Sequence, residues 1–186
     1  SLILGDNLFH GDNLIHLLNK LTSNNKGANV LACPVVDPER YCVAQFNKNG
    51  RVINITEKPK LPKSRYAITG IYFYDSTVLD RALKVKPSER GELEITELNK
   101  MYLDDDELNI EIMGRGMAWL DTGTCDSLQD ASNYIHTLQN RQGLKVSCPE
   151  EIAWRKGWIS KEKLKELANM SLKSGYGDYL LQIIEE

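Results

Sequence analysis

The stretch Tyr66-Ala67-Ile68-Thr69-Gly70-Ile71-Tyr72-Phe73-Tyr74 is the longest of several runs that predict β-strands in this sequence. Upstream of it, Cys42 to Phe46 and Arg51 to Thr56 flank Asn47-Lys48-Asn49-Gly50. The Asn-Gly pair tolerates the positive φ angles that a tight turn needs, so these two runs predict a β-hairpin.

Helical patterns alternate with the strands in the first two thirds of the chain. Ser1 to Leu4 predicts a buried strand, and Val30 to Val36 predicts another, whose ladder should break near Pro34. Between them, leucines recur at helical spacing, at Leu14, Leu17, Leu18 and Leu21. Alternation of this kind is typical of α/β architecture.

The remaining segments extend the same plan and then change it. Ser76 is the expected N-cap of a short helix, and Glu94 to Leu103 predicts a longer one. Leu108 to Met113 and Ala118 to Leu120 predict short strands. From Thr124 onward the apolar spacing is helical throughout, so we expect a sheet-containing domain over 1–123 and a helical extension over 124–186.

Composition excludes several classes of protein. Among 186 residues, 41% are hydrophobic and 26% charged, which is the balance of a folded domain and excludes a disordered chain. The net charge of −3 lacks the basic excess typical of nucleic-acid binding. No apolar run approaches the roughly 18 residues of a membrane span. The four cysteines are scattered without metal-ligand spacing, which predicts free thiols and a cytoplasmic location.

Two carboxylates follow predicted strands, where ligands gather in open α/β sheets. Asp6 follows the first strand, and Asp121 follows the short run before it in Trp119-Leu120-Asp121-Thr122-Gly123-Thr124. If they meet, they would form an oxygen-rich Mg²⁺ site with room for substrate phosphates. The alternative is that both are turn or cap residues, and the spacing alone leaves this open.

Charged side chains at two further points could bind an anion. Glu57 and Lys58 lie at the exit of the hairpin, where Pro59 ends the strand, and Arg90 lies beside Gly91 in a charged segment. A guanidinium fork suits a phosphate. An exposed ion pair and a solvated loop are the alternatives.

Taken in order along the chain, these segments resemble bacterial glucose-1-phosphate thymidylyltransferases over essentially all of the sequence. The segments that carry the resemblance are Leu4-Gly5-Asp6-Asn7, Asp37-Pro38-Glu39-Arg40-Tyr41, Glu57-Lys58-Pro59, Ala67-Ile68-Thr69-Gly70-Ile71-Tyr72-Phe73-Tyr74-Asp75, Arg90-Gly91-Glu92-Leu93-Glu94-Ile95-Thr96, Trp119-Leu120-Asp121-Thr122-Gly123-Thr124, Arg141-Gln142-Gly143-Leu144-Lys145 and Cys148-Pro149-Glu150-Glu151-Ile152-Ala153.

The resemblance implies a Rossmann-like nucleotidyltransferase sheet and transfer of a nucleotide from dTTP to glucose 1-phosphate with release of pyrophosphate. It assigns Mg²⁺ to Asp6 and Asp121, and assigns catalytic roles at the sugar phosphate to Lys58 and Arg90. The implied sugar pocket consists of Cys42, Glu57, Lys58, Ile68, Gly70, Tyr72, Arg90 and Trp119. Cys42 stands where the family usually has glycine, so we expect its side chain to weaken sugar binding.

The family's glycine-rich triphosphate loop is not in this sequence. By resemblance the sheet is therefore incomplete, its first strands are missing, and the chain alone is expected to be inactive. Two alternatives stay open: a non-catalytic sugar-nucleotide-binding or regulatory module, and a transferase that uses another nucleotide such as UTP.

The helical extension carries more apolar surface than one short sheet edge can cover, so part of it should face another subunit. The resemblance implies a homo-oligomer, a tetramer or dimer, and a feedback site for a dTDP-sugar. The residues implied for that site are Gly11, Arg115, Ser147, Glu151, Ile152 and Arg155. The alternative for Glu151 and Arg155, spaced i and i+4, is a helix-surface ion pair.

Overall fold

A computed structural model describes residues 1–23, 26–88 and 91–185. The chain divides into two compact units, Ser1–Ser127 and Leu128–Glu186. The first unit contains the sheet, and the second consists of helices. The α/β prediction is confirmed.

The first unit contains eight strands among its described residues: β1 (Leu2–Ile3), β2 (Asn7–His10), β3 (Ala28–Pro34), β4 (Cys42–Phe46), β5 (Val52–Glu57), β6 (Tyr66–Tyr74), β7 (Leu108–Ile112) and β8 (Ala118–Asp121). Its helices are α1 (Leu14–Ser23), α2 (Val78–Ala82) and α3 (Ile95–Asp104), and Pro38–Arg40 forms a single 3₁₀ turn. Helix α4 (Cys125–Gln142) begins at the end of this unit.

The long strand β6 occupies the middle of a mixed sheet with the order β5-β4-β6-β3-β7. On one side of β6, β4 pairs with its first residues and β1 with Ile71 and Tyr72, while β3 pairs along the other side. All of these pairs are antiparallel, and in the part of the chain that the structure describes only β3–β7 is parallel. The predicted strand Tyr66 to Tyr74 and the predicted hairpin are confirmed.

Apolar side chains cover both faces of the sheet. Val30 and Leu31 are adjacent in β3 and therefore point to opposite faces. Val30 packs in a cluster with Tyr72 and Tyr102, whereas Leu31 packs with Leu17 and other residues of α1. The sheet is thus covered by α3 on one face and by α1 on the other.

Two local predictions are wrong. The strand at Ser1 to Leu4 forms, but its side chains are not buried. Ile3 is 63% exposed, because β6 is its only pairing partner among the described residues. Ser76 does not cap α2, which begins at Val78. Instead the Asp75 carboxylate accepts hydrogen bonds from the backbone N–H and the hydroxyl of Thr77, and this turn precedes the helix.

The second unit contains α5 (Pro149–Arg155), α6 (Lys161–Met170) and α7 (Tyr176–Glu185) after the end of α4. Leu164 and Leu180 are fully buried at the contact of α6 with α7. Ser160 caps α6 through a hydrogen bond that its hydroxyl accepts from the backbone N–H of Lys163. The helical spacing predicted from Thr124 onward is confirmed for α6 and α7.

Candidate active site

A two-stranded ribbon of β2 and β8 brings together the carboxylates that sequence spacing could not connect. Asn7 and Asp121 are paired across the ribbon. Beyond the pairing, the backbone N–H and the hydroxyl of Thr122 both donate to the carbonyl oxygen of Asp6, each at 2.8 Å. Asp6 and Asp121 therefore lie side by side at one end of the ribbon.

The pKa of Asp121 is affected by its burial and by the neighbouring Asp6. Burial raises the pKa of Asp121 above its usual range, and the negative charge of Asp6 raises it further. Arg40 and Lys58 act in the opposite direction, as does the backbone N–H of Gly123. Two carboxylates that repel each other fit a divalent cation, whose charge would remove the repulsion.

A cation at this point would have few protein ligands. In the described parts of the chain, no group of three or more His, Cys, Asp or Glu side chains could hold a metal ion. Asp6 and Asp121 would supply two carboxylates and leave the other positions to water or phosphate oxygens. Mg²⁺ is commonly bound in this way, by one or two carboxylates together with substrate phosphates.

A cavity of about 200 Å³ opens beside Asp121. Seven of the eight residues predicted for the sugar pocket line it, namely Cys42, Glu57, Lys58, Ile68, Gly70, Tyr72 and Trp119. The eighth, Arg90, lies outside the described residues. The antiparallel pairing of β4, β5 and β6 places these side chains around one space although they come from distant segments.

Glu57 of β5 and Cys42 of β4 are paired directly across the two strands, and both line this cavity. The hydroxyl of Thr96, which is fully buried near the start of α3, donates to Oε2 of Glu57 and sets the direction of its carboxylate. Burial raises the pKa of the Cys42 thiol to about 12, with the charge of Glu57 as a further cause. The thiol is therefore protonated at neutral pH, and it contributes bulk and no charge to the wall.

Lys58 lies at the junction of this cavity with a second one of about 610 Å³, and Glu57 lines both. The backbone of Lys58 adopts φ +38°, which is an unusual conformation for lysine. Its backbone N–H donates to the carbonyl oxygen of Tyr41. The second cavity is also lined by Lys84, Lys86 and Lys100, of which Lys100 pairs with Glu97. Among the described residues of the second cavity, four lysines outnumber three glutamates, Glu57, Glu94 and Glu97, which leaves a small excess of positive charge beside the predicted sugar pocket.

Sequence reasoning missed three residues of the site. Arg40 lies between Asp37 and Asp121, Thr96 orients Glu57, and Asn7 hydrogen-bonds to Asp6. The family resemblance could have indicated them, because the segments that carry it include Arg40, Thr96 and Asn7.

The residues predicted for a regulatory site divide between the two units. In the first unit, Gly11 has φ +149° and packs closely on Met117, and Arg115 is exposed in the turn before β8. In the second, the guanidinium of Arg155 bonds to Glu151 at 2.7 Å, so the predicted ion pair is present. Glu151 also accepts from the hydroxyl of Tyr179. Both the regulatory role and the homo-oligomer stay predictions.

The sequence pattern of the family described as nucleotidyl transferase matches residues 1–137. The chain belongs to the nucleotidyl transferase family.

Its relatives confirm the resemblance to thymidylyltransferases. A glucose-1-phosphate thymidylyltransferase of Neisseria meningitidis serogroup A is 50% identical over 185 residues, which is 100% of this chain and 64% of the relative. The enzyme of that name from Xanthomonas campestris pv. campestris is 55% identical over 179 residues, 96% of this chain and 61% of the relative. A crystal structure named as a glucose-1-phosphate thymidylyltransferase from Bacillus anthracis has 46% identity and a TM-score of 0.63, covering 71% of this chain and 52% of that one.

This nucleotidyl transferase chain spans 61% to 64% of the length of those two curated relatives. Within its described residues, no helix is both long enough and apolar enough to cross a membrane.

Proposed function

We propose that this chain carries the sugar-phosphate and cation site of a glucose-1-phosphate thymidylyltransferase, which makes dTDP-glucose and pyrophosphate from dTTP and glucose 1-phosphate. The observation that carries the proposal is the pairing of β2 with β8. It pairs Asn7, the neighbour of Asp6, with Asp121, and Asp121 lines the same cavity as Glu57 and Lys58.

The side chains divide the substrate between them. Lys58 supplies a positive charge for the phosphate of glucose 1-phosphate, and the lysines of the neighbouring cavity extend that charge. Glu57, oriented by Thr96, is placed to accept hydrogen bonds from sugar hydroxyls. Gly70 lines the same cavity, and Tyr72 and Trp119 provide flat surfaces for the sugar ring.

The reaction is an in-line displacement in which a phosphate oxygen of glucose 1-phosphate attacks the α-phosphorus of dTTP and pyrophosphate leaves. Catalysis of such a reaction consists mainly of positioning and charge neutralisation. Bound by Asp6 and Asp121, Mg²⁺ would neutralise the phosphate oxygens at the reacting centre. The 186-residue chain by itself is expected to bind the sugar phosphate without turning it over, because its sequence lacks the family's glycine-rich triphosphate loop.

Binding is tested first, by calorimetry of glucose 1-phosphate with the chain in the presence of Mg²⁺. Lys58→Ala and Glu57→Gln should each weaken binding by about 10-fold or more, since buried or charge-assisted hydrogen bonds contribute about 1.5–3 kcal/mol. Lys63→Ala is the matched control, because Lys63 is an exposed lysine that lines neither cavity. Equal losses in Lys63→Ala and Lys58→Ala would contradict the site.

Transfer is tested in a chimera that places the N-terminal part of the Neisseria meningitidis relative ahead of this chain. We expect release of pyrophosphate from dTTP and glucose 1-phosphate, and loss of that release in Asp121→Asn. A chimera that binds glucose 1-phosphate but releases no pyrophosphate would favour a non-catalytic binding module. Preference for UTP over dTTP would indicate a different nucleotide.

A further inference from the structure

Asn7 joins the cation carboxylate to the wall of the cavity through three hydrogen bonds. Its Oδ1 accepts from the indole Nε1–H of Trp119 at 2.6 Å and from the backbone N–H of Gly70 at 3.1 Å. Its Nδ2 donates to Oδ1 of Asp6 at 2.9 Å. One amide therefore connects β2, β6 and β8.

The chemistry of the partners allows only one orientation of this amide. The indole N–H of Trp119 and the backbone N–H of Gly70 can only donate, so they require the carbonyl oxygen of Asn7. An ionised Asp6 can only accept, so it requires the NH₂ group. Reversing the amide would break all three bonds, and the two donors therefore determine where the NH₂ group points.

The close approach of Asn7 to β6 depends on glycine at position 70. A Cβ atom at Gly70 would lie 2.6 Å from both Cγ and Oδ1 of Asn7, which is far inside contact distance. The absence of a side chain at Gly70 makes room for the amide of Asn7.

We propose that Asn7 is a positioning residue that holds the Asp6 carboxylate in the orientation for cation binding and ties that orientation to Trp119. The proposal rests on the proposed function, in which Asp6 and Asp121 bind a divalent cation. Partners that orient metal-binding carboxylates commonly alter metal affinity by 10- to 100-fold when they are removed. Trp119 does not bond to Asp6, so its effect on the cation passes through Asn7.

The test is a double-mutant cycle on the affinity of the 186-residue chain for Mn²⁺ alone, measured by electron paramagnetic resonance. Asn7→Leu should weaken Mn²⁺ binding by about 10-fold. Trp119→Phe keeps an aromatic ring and removes only the indole donor, and it should weaken binding by about 3-fold. In the Asn7→Leu background, Trp119→Phe should have no further effect.

The matched control is Asn54→Ala, which removes an exposed asparagine that bonds to Gln45 and Thr56 away from the cavity. It should leave Mn²⁺ affinity unchanged. If Asn7→Leu does not fold, Trp119→Phe decides alone, because an unchanged affinity in that variant would overturn the proposal. Additive losses in the double variant would also overturn it, since the two residues would then act independently.

The proposed function fails in a different way. If the unaltered chain binds no Mn²⁺, or if Asp121→Asn binds it equally well, the cation site itself is wrong and the role of Asn7 is wrong with it. Mn²⁺ binding that depends on Asp121 but not on Asn7 or Trp119 would overturn only the positioning role.

Discussion

The guanidinium of Arg40 lies between two carboxylates, with Nη2 at 3.8 Å from Oδ2 of Asp121 and Nη1 at 2.8 Å from Oδ2 of Asp37. Its plane also lies over the ring of Tyr41, at 5.3 Å from the centroid. Arg40 thus offsets part of the negative charge at the candidate cation site. Burial, with the charge of Asp6 as a further cause, nevertheless raises the pKa of Asp121 in the folded chain.

Asp121→Asn should make the cation-free chain more stable at neutral pH. A carboxyl whose folded pKa is raised favours the folded state in its protonated form, and that stability is lost as pH rises through the folded pKa. Because asparagine does not titrate, we expect thermal unfolding at pH 7 to shift upward by on the order of 1–2 °C. The gain should disappear in acid, where Asp121 is protonated as well.

The control for this prediction is Asp130→Asn, at an exposed position of α4. A lower unfolding temperature for Asp121→Asn at pH 7 would mean that Arg40 and Lys58 outweigh burial and the repulsion from Asp6. Added Mg²⁺ should raise the unfolding temperature of the unaltered chain and leave Asp121→Asn unaffected.

Cys42 should resist alkylation in the folded chain. Its pKa of about 12 leaves almost no thiolate at pH 8, whereas Cys125 is exposed at the start of α4. With iodoacetamide and peptide mass spectrometry, we expect Cys125 to react at least about 10-fold faster than Cys42. The difference should vanish in urea, and equal rates without denaturant would contradict the buried placement of the Cys42 thiol.

Cys42→Gly should strengthen binding of glucose 1-phosphate and leave the affinity for dTTP nearly unchanged in an active chimera. The side chain lies beside Glu57 in the lining of the cavity, and its removal should enlarge the predicted sugar pocket. Glycine within a strand should cost about 0.5–1 kcal/mol of stability. Cys42→Ala separates the two effects, and unchanged sugar affinity in both variants would show that the backbone already accommodates the thiol.

Gly177→Ala should destabilise the second unit although alanine is the better helix former. The propensity gain is about 1 kcal/mol. A Cβ atom at this buried position would lie 2.2 Å from the carbonyl oxygen of Ala168 and 2.7 Å from the backbone nitrogen of Leu172. Because both neighbours are backbone atoms, we expect a net loss of about 1–3 kcal/mol in urea unfolding.

The matched substitution is Gly114→Ala, where an added Cβ would meet no atom within 4 Å. Its stability should stay within about 0.5 kcal/mol of the unaltered chain. A neutral Gly177→Ala would show that α6 and α7 can move apart without cost.

Structural features that depend on residues close together in the sequence were predictable from the sequence. The strand Tyr66–Tyr74 was predicted with its observed bounds, and β3 ends at Pro34 as its missing N–H required. The hairpin turn is held by local chemistry, since Gly50 adopts φ +78° and the side chain of Asn47 accepts from the backbone N–H groups of Asn49 and Arg51. The sequence by itself therefore determined most of the secondary structure, although not strand β2, and, through the order of its motifs, the family.

Only the tertiary structure decided which side chains meet. The pairing of Asn7 with Asp121 joins segments more than a hundred positions apart, and no local pattern encodes such a contact. No local sequence pattern marked Arg40 or Thr96 as residues of the site either. Their roles exist only once β4, α3 and β8 surround one cavity. The exposure of Ile3 could not be predicted from the sequence either, because an apolar run is buried only when another element covers it. Hydrogen bonds and like charges act over a few ångströms, and that distance is set by packing rather than by position in the chain.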